Sequence, residues 1–383
     1  MRIAHISDTH LGYRQYNLYE REDDFYNSLN QAIDKAIEER VDVILHSGDL
    51  FHSPTPPIKA LFSLKSVLDK IKGKIKIFTI LGDHDKPKRR AMIPHNVFDI
   101  PVLGAFGKLE KVVVDGVLIS GISNMKGAAT EVLKEEIKRF DTISKGYKKS
   151  IFMAHQGIKK FLPFNYELTE DDLPRTARYY ALGHIHSRSL ERFGNGWLAY
   201  SGSTDICSTS EISPWRENGK GIYIIDLTDD DTEIYPVDLD IRAQYEIDTD
   251  NRLERVKEVL KEIPIYNNKK PLLHINIIDG LANRREIEKS LNELLKDKIF
   301  WYKCRYEPAK ENKNVEIQKS FDMKKIFDEY FKDNYLSGLA YDLYNELYLD
   351  NIDIDNAKGT ARDYLAKRYG VKNEGFQNDN KID

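Results

Sequence analysis

The chain has 383 residues, 41% hydrophobic and 31% charged, with 58 Lys and Arg against 62 Asp and Glu for a formal net charge of −4. That length and apolar content predict two to three domains with buried cores and exclude wholesale disorder. With no 18-residue apolar run a transmembrane helix is excluded, and the acidic balance excludes a globally basic nucleic-acid binder while leaving a local basic surface open.

The start, MRIAHISDTH, lacks the apolar stretch of a secretory signal. Two cysteines, Cys207 and Cys304, are too few for a disulfide framework or a thiolate zinc cage, so a reducing cytoplasmic setting is expected.

Taken in order, the first half repeats one pattern: a short apolar run ending in Asp, His or Gly, often followed by a helical pattern. The runs are 2–7, 41–46, 75–81, 150–154 and 179–182. Each is too short for a helix and rich in β-branched or aromatic residues, so each predicts a strand. Phe25, Leu29, Ile33 and Ala36 share one face of a helix over 25–39, and Leu61, Leu64, Val67 and Ile71 one face of a helix over 58–71. The alternation implies a buried α/β sheet with active groups at the carboxyl ends of its strands. Runs 221–227 and 232–238 predict a hairpin over the acidic turn Asp229–Asp231, read as solvated chain rather than a metal site. A smaller α/β unit is expected over 240–310, with helices at 253–263 and 285–296 and strands at 272–278 and 299–306. Residues 311–320 read as a linker and 372–383 as a disordered tail. Between them, 321–371 carries an aromatic load too large for so short a segment to bury alone. Phe327, Tyr330, Phe331, Leu339, Leu343 and Tyr344 are the expected contacts of that segment with a partner protein.

Five motifs stand at the ends of the five strands: Asp8-Thr-His10, Gly48-Asp49-Leu-Phe-His52, Gly82-Asp83-His84-Asp85, His155-Gln-Gly157 and Gly183-His184-Ile-His186. Imidazole and carboxylate suit divalent ions such as Mn, Fe and Zn. One strand end offers one or two such groups, and five adjacent ends can surround two ions. Each motif alone is common, but together they hold six of the ten histidines. His5 and His46, inside strands, are expected as hydrogen-bonded neighbours of the site or core; His95 and His274 carry no pattern.

The motif series resembles the calcineurin-like metallophosphoesterase superfamily. Within it, Asp8-Thr-His10-Leu-Gly-Tyr13, Phe51-His52 directly after Gly48-Asp49, and Ala181-Leu-Gly-His-Ile-His186 resemble the nuclease of the double-strand-break repair complex. The Asp-Arg-Gly element of the protein phosphatases is absent. The resemblance implies a four-layer α-β-β-α sandwich over 1–239, a small DNA-contacting α/β capping domain over 240–310, and a C-terminal helical tail that binds an SMC-like coiled-coil ABC ATPase. It further implies a DNA-binding homodimer, nucleoid-associated if prokaryotic, with no membrane partner and two Mn²⁺ per chain. One ion would be held by Asp8, His10, Asp49 and His186, the other by Asp49, Asp83, His155 and His184, roughly 3.5–4 Å apart. His84 would be the catalytic histidine, His52 its assistant, and Asp85 would set the tautomer of His84 or of a ligand histidine. The implied activity is 3′→5′ exonuclease and single-strand endonuclease cleavage. A small-molecule phosphodiesterase or phosphatase and a low-activity DNA-end tether stay open.

Asp83 departs from the family, which has Asn there. Two divalent ions against Asp8 and Asp49 leave a charge of +2, whereas an ionised Asp83 leaves +1, so weaker phosphate attraction and slower turnover are expected. For phosphate contact, Tyr13 and Arg14 follow the first motif and Lys86, Lys88, Arg89 and Arg90 the third. The helix over 58–71 and the segment Met92–Phe98 are the expected dimer contacts.

Overall fold

The computed structural model describes residues 1–86, 92–229, 231–263, 269–278 and 284–307, with eight further positions between 324 and 342. Met1–Lys310 forms one compact unit and Glu311–Asp383 a second.

Strands β1 (Arg2–Ile6), β2 (Val43–His46) and β3 (Lys76–Thr79) form where the sequence predicts them, with α1 (Tyr19–Glu38) and α2 (Ile58–Ile71) between them. The strands divide between two sheets, as the four-layer resemblance implies. The first runs β11-β10-β1-β2-β3, where the hairpin β10 (Gly221–Leu227) and β11 (Thr232–Asp238) returns late in the chain to extend it. The second runs β4-β5-β6-β7-β9-β8: β4 (Glu110–Val114), β5 (Val117–Ile122), β6 (Lys149–His155), β7 (Tyr179–Gly183), β8 (Ser189–Phe193) and β9 (Gly196–Tyr200).

Strand alternation sorts the apolar side chains into layers. Ile3, Val43 and Leu45 meet Ile119, Ile151, Met153 and Ala181 between the two sheets. Their neighbours Ala4, Ile6 and Ile44 face Leu29, Ile33, Leu64 and Val67 of α1 and α2. On the far side, Leu118, Phe152 and Tyr180 pack on Leu133, Ile137 and Phe140 of α3 (Thr130–Ile143). The four expected layers are thus helix, sheet, sheet, helix. Among the described residues no helix is long and apolar enough to cross a membrane.

Helix α1 starts six residues earlier than its apolar stripe indicates. Arg21 takes a fully buried place on it, bonded to Asp24 and Asp205 at 2.7 Å each and to Gln15 at 2.8 Å. A buried, paired guanidinium carries no apolar signal, so hydrophobic periodicity misses this first part of the helix. At the acidic turn, Asp229 pairs with Lys149 at 2.7 Å; Asp230 lies outside the described residues.

The smaller sheet is parallel, β12 (Gln244–Thr249), β13 (Leu272–Ile278) and β14 (Trp301–Glu307). One face packs on α5 (Glu254–Glu262) and α6 (Arg284–Leu295) through Ile247, Leu273, Ile275, Val256, Ile287 and Leu291. Its other face carries Glu246, His274, Asn276, Lys303 and Arg305, which line a cavity of about 290 Å³ with Tyr13 and Tyr16. Tyr16 stacks on Trp301, ring centroids 4.3 Å apart, and Arg242 reaches Asp24 of α1 at 2.6 Å.

The linker 311–320, the tail 372–383, and Tyr330, Phe331, Leu339, Leu343 and Tyr344 lie outside the described residues. Of the expected partner contacts only Phe327 is described; its ring meets Tyr341 edge-on at 6.1 Å.

Candidate metal centre

The carboxyl ends of β1, β2, β6 and β7, and the loop after β3, converge on one polar centre. Asp8 and Asp49 are almost fully buried, as are His10 and His155. His155 Nε2 lies 3.4 Å from Asp49 Oδ2, 3.5 Å from Asp83 Oδ1 and 3.9 Å from Asp8 Oδ1. His184 Nδ1 is 3.3 Å from Asp83 Oδ1. On the other side, His10 Nε2 is 3.8 Å from Asp49 Oδ2 and 3.1 Å from His186 Nε2, and His186 Nε2 is 3.7 Å from Asp8 Oδ1. Asp49 stands between the two halves.

The donor atoms sort into overlapping groups that each fit around one ion: Asp8, His10 and Asp49; Asp83, His155 and His184; Asp49, Asp83 and His84. His155 Nε2 and Asp83 Oδ1 are buried and have no hydrogen-bond partner. A buried imidazole nitrogen and a carboxylate oxygen, both unpaired and facing each other, fit a divalent cation, which satisfies both at once.

The backbone is strained here. Asp8 (φ 51°), His10 (φ 44°), Asp49 (φ 52°) and His184 (φ 90°) all adopt positive φ, a conformation that costs a side chain energy and is held where it turns donors inward. Gly48 takes φ 94°, and a Cβ on Gly82 would collide with the Asp49 carboxylate.

The candidate ligand rings are oriented from behind. His155 Nδ1 donates to Ser47 O at 2.7 Å, and Asn124 Nδ2 donates to His155 O at 2.8 Å. The His184 backbone N–H donates to Asp8 at 3.2 Å. His186 Nδ1 donates to Glu211 Oε1 at 2.9 Å, and Glu211 is anchored by buried Lys220 at 2.6 Å. Burial alone would raise the Glu211 carboxyl, but Lys220 and His186 hold it well below its ordinary value. Glu211 therefore stays anionic and fixes the tautomer of His186. Glu211→Gln is expected to weaken ion binding about 10- to 100-fold by calorimetry with Mn²⁺; unchanged affinity would contradict this role.

His84 sits beside the ligands. Its backbone N–H donates to Asp49 Oδ1 at 2.9 Å and its Nδ1 donates to the His52 carbonyl at 3.0 Å. Tyr13, His52 and His84 form a stack, with centroid separations of 4.1 and 5.0 Å. Burial and the neighbouring His84 push the His52 imidazole down to about 4, so it is neutral at neutral pH.

Three expectations need correction. Asp85 does not set a histidine tautomer: its carboxylate accepts the backbone N–H groups of Leu50, Phe51 and Gly82 at 3.0–3.2 Å, tying two ligand loops together. Arg14 is not free for phosphate; it pairs with Glu22 at 2.7 Å and lies over Tyr19, because α1 begins early enough to present Glu22. Lys86 turns inward and donates to Asn124 O. Lys88, Arg89 and Arg90 lie outside the described residues. His5 and His46 support the site as expected, His5 bonded to Tyr179 and Ser47, His46 to Thr9. Sequence patterns miss Glu211, Cys207, Lys303 and Arg305, and also Lys126, whose ammonium lies 3.3 Å from Asp83.

The calcineurin-like phosphoesterase family model matches residues 1–188. A DNA double-strand break repair protein Mre11 from Methanocaldococcus jannaschii is 35% identical, covering 96% of this chain and 100% of that protein. Proteins of the same name match from Thermoplasma acidophilum (35%, 88% of this chain and 91% of that protein) and Sulfurisphaera tokodaii (35%, 98% and 99%). The chain belongs to the Mre11 family. Its catalytic half is a calcineurin-like phosphoesterase domain, whose chemistry depends on divalent metal. The five strand-end motifs lie within the matched residues, and their carboxylates and imidazoles form the groups that fit an ion.

Proposed function

We propose that this chain is a Mn²⁺-dependent DNA nuclease that hydrolyses phosphodiesters at broken ends, acting as a 3′→5′ exonuclease on duplex ends and an endonuclease on single strands. The observation that carries the reading is the convergence of seven side chains with oxygen or nitrogen donors, Asp49 central among them, with His84 beside them. Relatives named for double-strand break repair support DNA as substrate. Asp8, His10, Asp49 and His186 would hold one ion, and Asp49, Asp83, His155 and His184 the other. Bound divalent ions supply Lewis-acid charge at the phosphate and lower the pKa of a coordinated water.

The protein's own part is positioning and proton transfer. Asp49 holds both halves and, through Oδ1, fixes the backbone at His84. With Nδ1–H committed to the His52 carbonyl, Nε2 of His84 is the nitrogen left to act, and in the imidazolium form, which carries a second proton there, it would protonate the leaving 3′-oxygen. Tyr13 and His52 wall the ring on one side. Lys303 and Arg305, exposed on the cap sheet, offer phosphate contacts that the net charge of −4 conceals.

Residues 1–239 form the nuclease body in this reading, 240–310 the cap, and 321–371 the segment that docks on an SMC-like coiled-coil ABC ATPase. Ile58, Phe62, Met92 and Val97 are 64–84% exposed and would be covered by a second copy in a homodimer. Asp83→Asn is expected to raise kcat with Mn²⁺ by removing a negative charge from the centre. Lys126 offsets part of that charge, so the gain is smaller than the bare count implies; an equal or lower rate would contradict this charge effect. The test of the function is cleavage of linear duplex and circular single-stranded DNA with and without Mn²⁺, together with the salt dependence of binding. Cleavage only with the metal, and affinity falling steeply with salt, are expected. A small-substrate phosphodiesterase would show neither.

A further inference from the structure

Cys207 lies on the loop between β9 and α4 (Ile212–Asn218), beside the half of the centre that contains His186. Its Sγ forms a group with ring nitrogens of His10 and His186 in which all donor atoms lie within 4.8 Å of one another. The loop is clamped. The Cys207 N–H donates to Glu211 Oε2 at 3.2 Å, and its carbonyl accepts Gln15 Nε2 at 3.0 Å. Two residues earlier, Asp205 is fixed by buried Arg21 at 2.7 Å. The thiol therefore belongs to the built wall of the site. Asp8 Oδ1 lies 3.7 Å from His186 Nε2.

We propose that this half-site has a second, thiophilic mode. In it His10, His186, Asp8 and the Cys207 sulfur together take Zn²⁺. Two imidazoles, a carboxylate and one thiolate make the four-coordinate donor set that zinc takes, whereas Mn²⁺ prefers oxygen and nitrogen donors. As the S–Zn bond forms, the thiol proton leaves to solvent. The consequence follows from coordination number. A catalytic ion keeps a position open, whereas four protein ligands close the shell. Zinc held through Cys207 thus competes with the working ion and leaves no position for water or phosphate. This second mode rests on the metal-site reading above and is independent of the identity of the nucleic-acid substrate.

The test uses the full chain stripped of metal and titrated with Co²⁺, a spectroscopic stand-in for zinc. Wild type is expected to show a near-ultraviolet sulfur-to-cobalt charge-transfer band. Cys207→Ser and Cys207→Ala should lose it while retaining the visible cobalt bands of imidazole and carboxylate ligation, and Cys304→Ser should keep it. Against a competing chelator, Cys207→Ser should bind Zn²⁺ at least about 10-fold more weakly, the lower end of what loss of even an outer-shell partner costs, with Mn²⁺ affinity unchanged. Cobalt binding without a sulfur band, or equal zinc affinity in Cys207→Ser, overturns this proposal and leaves the two-ion reading standing. No binding of Co²⁺ or Mn²⁺ by wild type overturns both.

Discussion

Asp49→Asn is expected to abolish measurable Mn²⁺-dependent cleavage, a larger loss than the about 10²- to 10⁴-fold attached to a single proton-transfer group. Asn preserves the shape and tolerates the left-handed backbone that position 49 adopts. Its amide oxygen can still accept the His84 N–H, so the fold of the loop survives. What disappears is a carboxylate that faces both halves of the centre, 3.4 Å from His155 and 3.8 Å from His10; Asp8, 3.9 Å from His155 and 3.7 Å from His186, remains. Without its charge, two cations would be confined side by side with only Asp8 and Asp83 to offset them. Calorimetry should show fewer than two Mn²⁺ bound per chain, and single-turnover assays no cleavage. Retained activity with full loading would show that Asp49 is not the bridge.

His84→Ala is the second large effect, with the opposite signature. The contact that residue 84 makes to Asp49 is through its backbone N–H and persists in the variant. Ion binding should therefore be unchanged, while kcat falls about 10²- to 10⁴-fold, the range for removing a general acid. KM should move little. His52→Ala should cost less, because the His52 side chain supports the stack and its carbonyl, which accepts from His84, remains. A fall in metal affinity in His84→Ala that matches the loss of rate would make His84 a ligand instead of a proton donor.

Much of this centre is legible in the sequence because its chemistry sits directly against its secondary structure. Asp8 and His10 follow the apolar run of β1, His155 ends that of β6, and His184 and His186 follow β7, so a strand prediction also places the donors. Periodicity does not reveal the partition into two sheets, which the motif resemblance alone implies. Parallel strands buried on both faces read as continuous apolar runs whichever sheet they join. The β4–β5 hairpin does carry a signal that the sequence reading passes over: Asp115-Gly116 (φ 49° and 80°) between apolar runs, a turn that fits a two-residue hairpin loop. Glu211, Cys207 and Lys126 reach the site from loops with no periodic pattern, and only tertiary proximity identifies them. Arg14 and Lys86 show the reverse failure. Their place in the chain beside the motifs is plain, but a carboxylate on α1 and a backbone carbonyl at Asn124 engage their charges.

Whether Asp49 joins two ions in one centre is measured most directly by electron paramagnetic resonance of the full chain loaded with Mn²⁺. The expected spectrum is that of an exchange-coupled manganese pair at two ions per chain, collapsing to isolated Mn²⁺ in Asp49→Asn. A wild-type spectrum of isolated Mn²⁺ only, at full loading, would contradict it.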